Sequence, residues 1–190
     1  MTWNGRGFDI PVLLQRSMVH GLAAPAWFAG RSRAAGYTYR YSDAWHCDLM
    51  DVMADHGACP KLSLDDIAGA LGLPGKIGGH GSDVDSMVAA GEIAQVRAYC
   101  EGDVLNLFGI YARHGLLTGR VTEAGHDAAM VSLLDYLLVH APDRPHLAAF
   151  VEEWGSRPPL TTAERDGVSA CESRTRQMRK LTAAEGTEAV

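Results

Sequence analysis

The segment from Glu92 to His114 constrains the chain most, because its apolar side chains recur at helical spacing over a length that only a long helix satisfies. Ile93, Val96, Cys100, Val104, Leu107 and Tyr111 fall close to one stripe, which predicts the buried face. Shorter helical stretches surround it. Asp9 is placed to cap a helix that tolerates Pro11 in its first turn and stops at Gly21, with Val12, Leu13, Val19 and Leu22 as its apolar face. Ser63 with Asp66 starts a short helix through Ala68 and Leu71 to Gly72. Ser82 with Asp85 starts another, and two more run from Asp127 to His140 and from Arg144 to Trp154, separated at Pro142.

Extended structure is scarce. Thr2-Trp3-Asn4-Gly5 reads as the end of a strand entering a turn, and Trp45 to Met50 as a short buried strand. Residues 29–43 are a loop rich in Gly, Ser, Arg and Tyr, and Pro74-Gly75-Lys76-Ile77-Gly78-Gly79-His80-Gly81 is a glycine-rich loop. Apolar periodicity stops at Gly155. The expected organisation is one domain over residues 1–154 and a flexible tail over 155–190.

Composition excludes several classes. With 47% hydrophobic and 21% charged residues the chain is an ordinary globular sequence, with no apolar run long enough to span a bilayer and no signal-peptide pattern. Cys47, Cys59, Cys100 and Cys171 form no C-x-x-C pair and read as reduced thiols of a cytoplasmic protein. The net charge is −6, yet residues 1–40 hold Arg6, Arg16, Arg31, Arg33 and Arg40 against Asp9 alone. A basic first third on an acidic body suits a phosphate backbone, and equally suits a scatter of surface arginines.

Two constellations can carry chemistry. In Asn4-Gly5-Arg6-Gly7-Phe8-Asp9 the glycines permit a tight turn that presents Asp9 at a helix start, where a carboxylate is either a ligand or simply a cap. In Tyr99-Cys100-Glu101-Gly102-Asp103, Tyr99 and Asp103 are neighbours on one helix face. A carboxylate beside a phenol can hold a metal and orient its water; the same pair is also a common surface arrangement.

Taken together, the motifs resemble the predicted 3'-5' exonucleases related to the proofreading domain of B-family DNA polymerases. Asn4 to Leu13 is similar to that family's second exonuclease motif, and Tyr99 to Asn106 to its third, in the Y-x-x-x-D form. Asp48-Leu49-Met50-Asp51, Leu73 to Gly78, and Gly81-Ser82 follow the same order. The resemblance implies an α/β, ribonuclease H-like fold and hydrolysis with two Mg²⁺ or Mn²⁺ ions about 3.5–4 Å apart. It implies Asp9 and Asp103 as metal ligands, Tyr99 as the residue that orients the attacking water, and Asn4 and Phe8 as walls of the terminal-nucleotide pocket. Lys76 would touch a phosphate. The implied partner is nucleic acid with a free 3' end, single-stranded, with no membrane involved.

One departure matters. The family takes its first two carboxylates from a D-x-E strand upstream of the second motif, and no D-x-E occurs in these 190 residues. The expectation is an N-terminally truncated domain lacking the first strands of its sheet, with impaired metal binding. Three other readings compete: a non-catalytic nucleic-acid-binding or interaction protein derived from an exonuclease; a zinc protein using His46, Cys47, His56, Cys59 and His80, whose spacing matches no strong zinc signature; and an unrelated helical domain.

Overall fold

The computed structural model describes residues 1–29, 36–79 and 81–155. The chain divides into two compact units, Met1–Leu64 and Asp65 onward. Among the described residues there is no strand. The one sheet-type pairing among the described residues is an isolated parallel bridge between Thr2 and Asp48. The expected strand at Trp45 to Met50 is therefore absent: His46, Cys47, Asp48 and Leu49 are buried as predicted, but the chain bridges once and turns into a helix at Leu49. The ribonuclease H-like sheet expected from the sequence has no counterpart among the described residues, which form a helix-rich structure.

The first unit contains α1 (Asp9–Val19), α2 (Pro25–Phe28) and α3 (Leu49–Met53), followed by a 3₁₀ turn at Asp55–Gly57. Thr2 anchors it: its N–H donates to the Cys47 carbonyl at 2.8 Å and its carbonyl accepts the Leu49 N–H at 2.9 Å. The core here is small and polar. Cys47, Leu49 and Ala54 are buried together with His46, Asp48 and Asp51. The predicted apolar face of α1 is not buried. Val12, Leu13, Val19 and Leu22 are all exposed, and no residue of α1 is buried.

The second unit holds the larger core. Its helices are α4 (Leu64–Ala70, which opens on the last residue of the first unit), α5 (Val84–Ala89), α6 (Ile93–Leu117), α7 (Glu123–His140) and α8 (Pro145–Gly155). Thr122 caps α7 by accepting the Gly125 N–H, so that helix begins before the predicted Asp127. Pro142 sits in the 3₁₀ turn between α7 and α8, as its lack of an N–H requires. Helix α6 packs against α5, α7 and α8. Leu105, Ile110, Met130, Leu133, Leu134, Leu137, Leu147, Phe150, Val151 and Trp154 fill the interior.

The buried face of α6 differs from the predicted stripe. Ile93, Cys100, Val104 and Tyr111 are exposed, whereas Leu105, Asn106, Gly109 and Ile110 face inward. Gly109 explains the choice. A Cβ there would stand 2.7 Å from a Leu73 methyl, so only glycine lets the loop after α4 press this closely on α6. The tail expected from residue 155 lies, from residue 156 on, outside the described residues.

Candidate functional site

The first unit shapes the Asn4–Asp9 segment with a residue that its motif does not include. The Asp48 carboxylate is buried, 2% exposed, and accepts the Asn4 N–H at 2.9 Å through Oδ1 and the Arg6 N–H at 2.8 Å through Oδ2. The positive φ of this turn falls on Asn4 (61°), not on a glycine. The glycines serve close approach instead. A Cβ on Gly5 would overlap the Thr2 side chain, whose hydroxyl is tied to His46 Nε2 at 2.9 Å, and one on Gly7 would press on the Asn4 amide.

Downstream of that turn, Phe8 takes the cap position and Asp9 is the first residue of α1 rather than its cap. The Asp9 carboxylate is exposed and has no hydrogen-bond partner among the described residues; Phe8 is 64% exposed. Both are presented outward on the rim of a turn that is itself rigidly held.

Of the three described arginines in the basic first third, two are spent on structure. The Arg6 guanidinium donates to the carbonyls of Tyr37 (3.3 Å), Tyr39 (3.1 Å) and His46 (3.3 Å). Arg40 grips Asp51 with two hydrogen bonds, Nε to Oδ2 at 2.8 Å and Nη2 to Oδ1 at 2.6 Å, and also donates to the His56 carbonyl. Arg16 is exposed and donates to His20 Nε2. Arg31 and Arg33 lie outside the described residues.

In the second unit Tyr99 and Asp103 are neighbours across one turn of α6, near enough for the Asp103 charge to act on the phenol. Burial, aided by the Asp103 charge, pushes the Tyr99 phenol up to about 12. Burial also raises the Asp103 carboxyl, opposed by the neighbouring Tyr99 hydroxyl and the nearby Lys76 charge. The phenol is therefore a hydrogen-bond donor at neutral pH and not a base. Gly79 and Gly81 lie against the Tyr99 ring and hydroxyl, at distances where a Cβ would just touch.

The position of Lys76 depends on Asn106, named in the motif but given no role by the sequence. Asn106 is fully buried. Its amide donates to the Gly75 carbonyl at 2.7 Å and the Gly102 carbonyl at 2.9 Å, and its Oδ1 accepts the Gly75 N–H at 3.0 Å. Asp65 Oδ1 accepts the Lys76 N–H at 2.7 Å. A cavity of about 210 Å³ opens beside Tyr99, lined by Ile77, Ala98, Leu105, His146 and Phe150 among others. Glu101, between Tyr99 and Asp103 in sequence, points to a different cluster and pairs with Arg97, Arg144 and His146.

No three His, Cys, Asp or Glu side chains among the described residues converge as a metal-binding set. Of the residues considered for zinc, His46 bonds to Thr2, His56 to Asp51, and Cys47 and Cys59 are in no disulfide; His80 lies outside the described residues. No helix among the described residues is long and apolar enough to cross a membrane.

Comparison with curated proteins and with solved structures returned no match. One family model does match, over residues 1–154, a span that takes in both the Asn4–Asp9 and the Tyr99–Asp103 segments. The chain belongs to the family of predicted 3'-5' exonucleases related to the exonuclease domain of PolB.

Proposed function

We propose that this chain carries a 3'-5' exonuclease domain of the ribonuclease H-like, two-metal type, impaired in these 190 residues, acting on single-stranded nucleic acid with a free 3' end. The observation that carries the reading is the neighbouring Tyr99–Asp103 pair on α6 inside a family match that spans residues 1–154. Asp9 and Asp103 are the carboxylates assigned to Mg²⁺ or Mn²⁺, and oxygen donors suit such hard ions. Their number does not suit a complete centre. Two carboxylates are half of the family's four, no D-x-E occurs in the sequence, and no third acidic or imidazole group joins either one among the described residues.

The side chains themselves define the rest. Tyr99 stays protonated to about pH 12, so its single O–H can orient a water or a phosphate oxygen by donation. Phe8 is exposed at the start of α1, where its ring can stack on a terminal base, and Asn4 sets the turn beneath it. Lys76 supplies positive charge beside Asp103 for a backbone phosphate.

The incomplete carboxylate set also favours a second reading, a non-catalytic nucleic-acid-binding protein of exonuclease descent. One assay separates the two. A 3'-labelled single strand is incubated with Mn²⁺ and the chain, D9A or D103A. Slow release of labelled nucleotide, abolished by D103A, supports the impaired exonuclease. Release that persists in D103A refutes the site, release at the speed of an efficient enzyme refutes the impairment, and binding without release selects the second reading.

A further inference from the structure

Lys76 sits in a loop that is fixed on both sides of it. Gly75 is held through its N–H and its carbonyl by the buried Asn106 amide, and the Lys76 N–H is held by Asp65. Gly75 has a φ of 74°, and a Cβ there would overlap the Asp65 carboxylate, so this bend is specific to glycine. Asn106 is anchored in turn to the Gly102 carbonyl, one residue before Asp103. The path from Asp103 to Lys76 therefore runs through one helical turn and one amide, with no freely rotating backbone between them. The Lys76 ammonium closes no ion pair among the described residues, although its charge lies close enough to act on Asp103.

A lysine whose backbone is fixed, whose side chain is half-exposed and whose ammonium closes no ion pair among the described residues suits a ligand that brings its own negative charge. We infer that Asn106 is a positioning residue: by gripping Gly75 it presents the Lys76 ammonium to a backbone phosphate of single-stranded nucleic acid beside Tyr99 and Asp103. This rests on the exonuclease reading for the identity of the ligand. Asn106 touches no substrate and acts through Lys76 alone.

The test is metal-free binding of a fluorescently labelled single-stranded oligonucleotide to the full chain in EDTA, read by anisotropy across a KCl series. Each phosphate contact on a single strand contributes about 0.7 to the slope of log affinity against log salt. K76M is expected to weaken binding and lower the slope by about that amount. N106A is expected to lower it equally, and K76M/N106A no further than either alone. A merely structural role for Asn106 would lower the melting temperature and leave the slope unchanged, which would overturn the inference; so would an unchanged slope in K76M, or no binding by the parent chain.

Should N106A fail to fold, the exposed Asp65 gives a second route. D65N keeps an acceptor for the Lys76 N–H and D65A removes it, so weaker binding by D65A than by D65N supports the loop's role, and equal binding refutes it. The binding series and the nuclease assay fail independently. Release dependent on Asp103 with no Lys76 effect sinks this inference alone, whereas a shifted slope without such release sinks the exonuclease reading alone.

Discussion

Asp48 holds Arg6 by its backbone and not by its charge: Oδ2 accepts the Arg6 N–H at 2.8 Å, while the guanidinium is spent on the carbonyls of Tyr37, Tyr39 and His46. One buried carboxylate thus fixes the turn that carries Asn4, Phe8 and Asp9, and the arginine within that turn fastens it to the neighbouring loop. An arginine in an exonuclease motif invites assignment to a phosphate; here three of its five donors are already committed to backbone carbonyls.

Replacing Asp48 by Asn should loosen this turn. An amide can accept one of the two N–H groups but turns its own NH₂ toward the other, leaving a buried donor unsatisfied. The expected loss is about 1–3 kcal/mol of stability. Chemical denaturation measures it, and amide hydrogen exchange should show the Asn4 and Arg6 N–H groups losing protection first.

Two glycines should respond to alanine for different reasons. At Gly5 the new methyl meets a Thr2 side chain pinned by His46, so overpacking of about 1–3 kcal/mol is expected. At Gly21, after α1, φ is 65° and nothing lies within 4 Å, so G21A should cost only the left-handed backbone strain, about 1–2 kcal/mol. Unfolding curves of both variants check this; a harmless G5A would mean that Thr2 yields.

The Arg40–Asp51 pair sets an acid limit on the first unit. The Arg40 hydrogen bonds, aided by His56, hold the Asp51 carboxyl well below its ordinary 3.8. A depressed folded-state value means that its stabilisation is fully present above about pH 4 and is lost as pH falls below that. D51N should therefore be less stable than the parent at pH 7, with the gap closing as both are acidified. Thermal melts from pH 7 to pH 2 read the gap; one that does not narrow would contradict the pairing.

Tyr99 makes the opposite prediction in alkali. Its folded-state value of about 12 lies above the ordinary 10.0, so its contribution is intact below pH 10 and is lost as pH rises toward 12. Y99F should flatten the decline in stability across that interval, and absorbance titration of the parent should show one tyrosine ionising after the others.

The sequence makes α6, α7 and α8 legible because their apolar residues recur at helical spacing and Pro142 separates the last two, although the Thr122 cap that opens α7 before Asp127 is seen only in the structure. It also makes the Tyr99–Asp103 pair legible, since a separation of four residues on a helix brings side chains together whatever surrounds them. The short buried stretch at His46–Leu49 was ambiguous for a physical reason: burial of a few residues does not distinguish a strand from a bridge that runs into a helix.

Local patterning thus determined the helices and the motif pairs within them. Tertiary structure alone decided which side of α6 is interior, because the buried line contains Asn106 and Gly109, residues that hydropathy discounts. Gly109 is there for the close approach of Leu73, and Asn106 for the Gly75 backbone thirty-one residues away in sequence. It alone assigned Asp48, forty-four residues from Asn4, to that turn, and it left the apolar face of α1 exposed. Spacing encodes neighbours along a helix, but not which distant backbone group will need a hydrogen-bond partner once water is excluded.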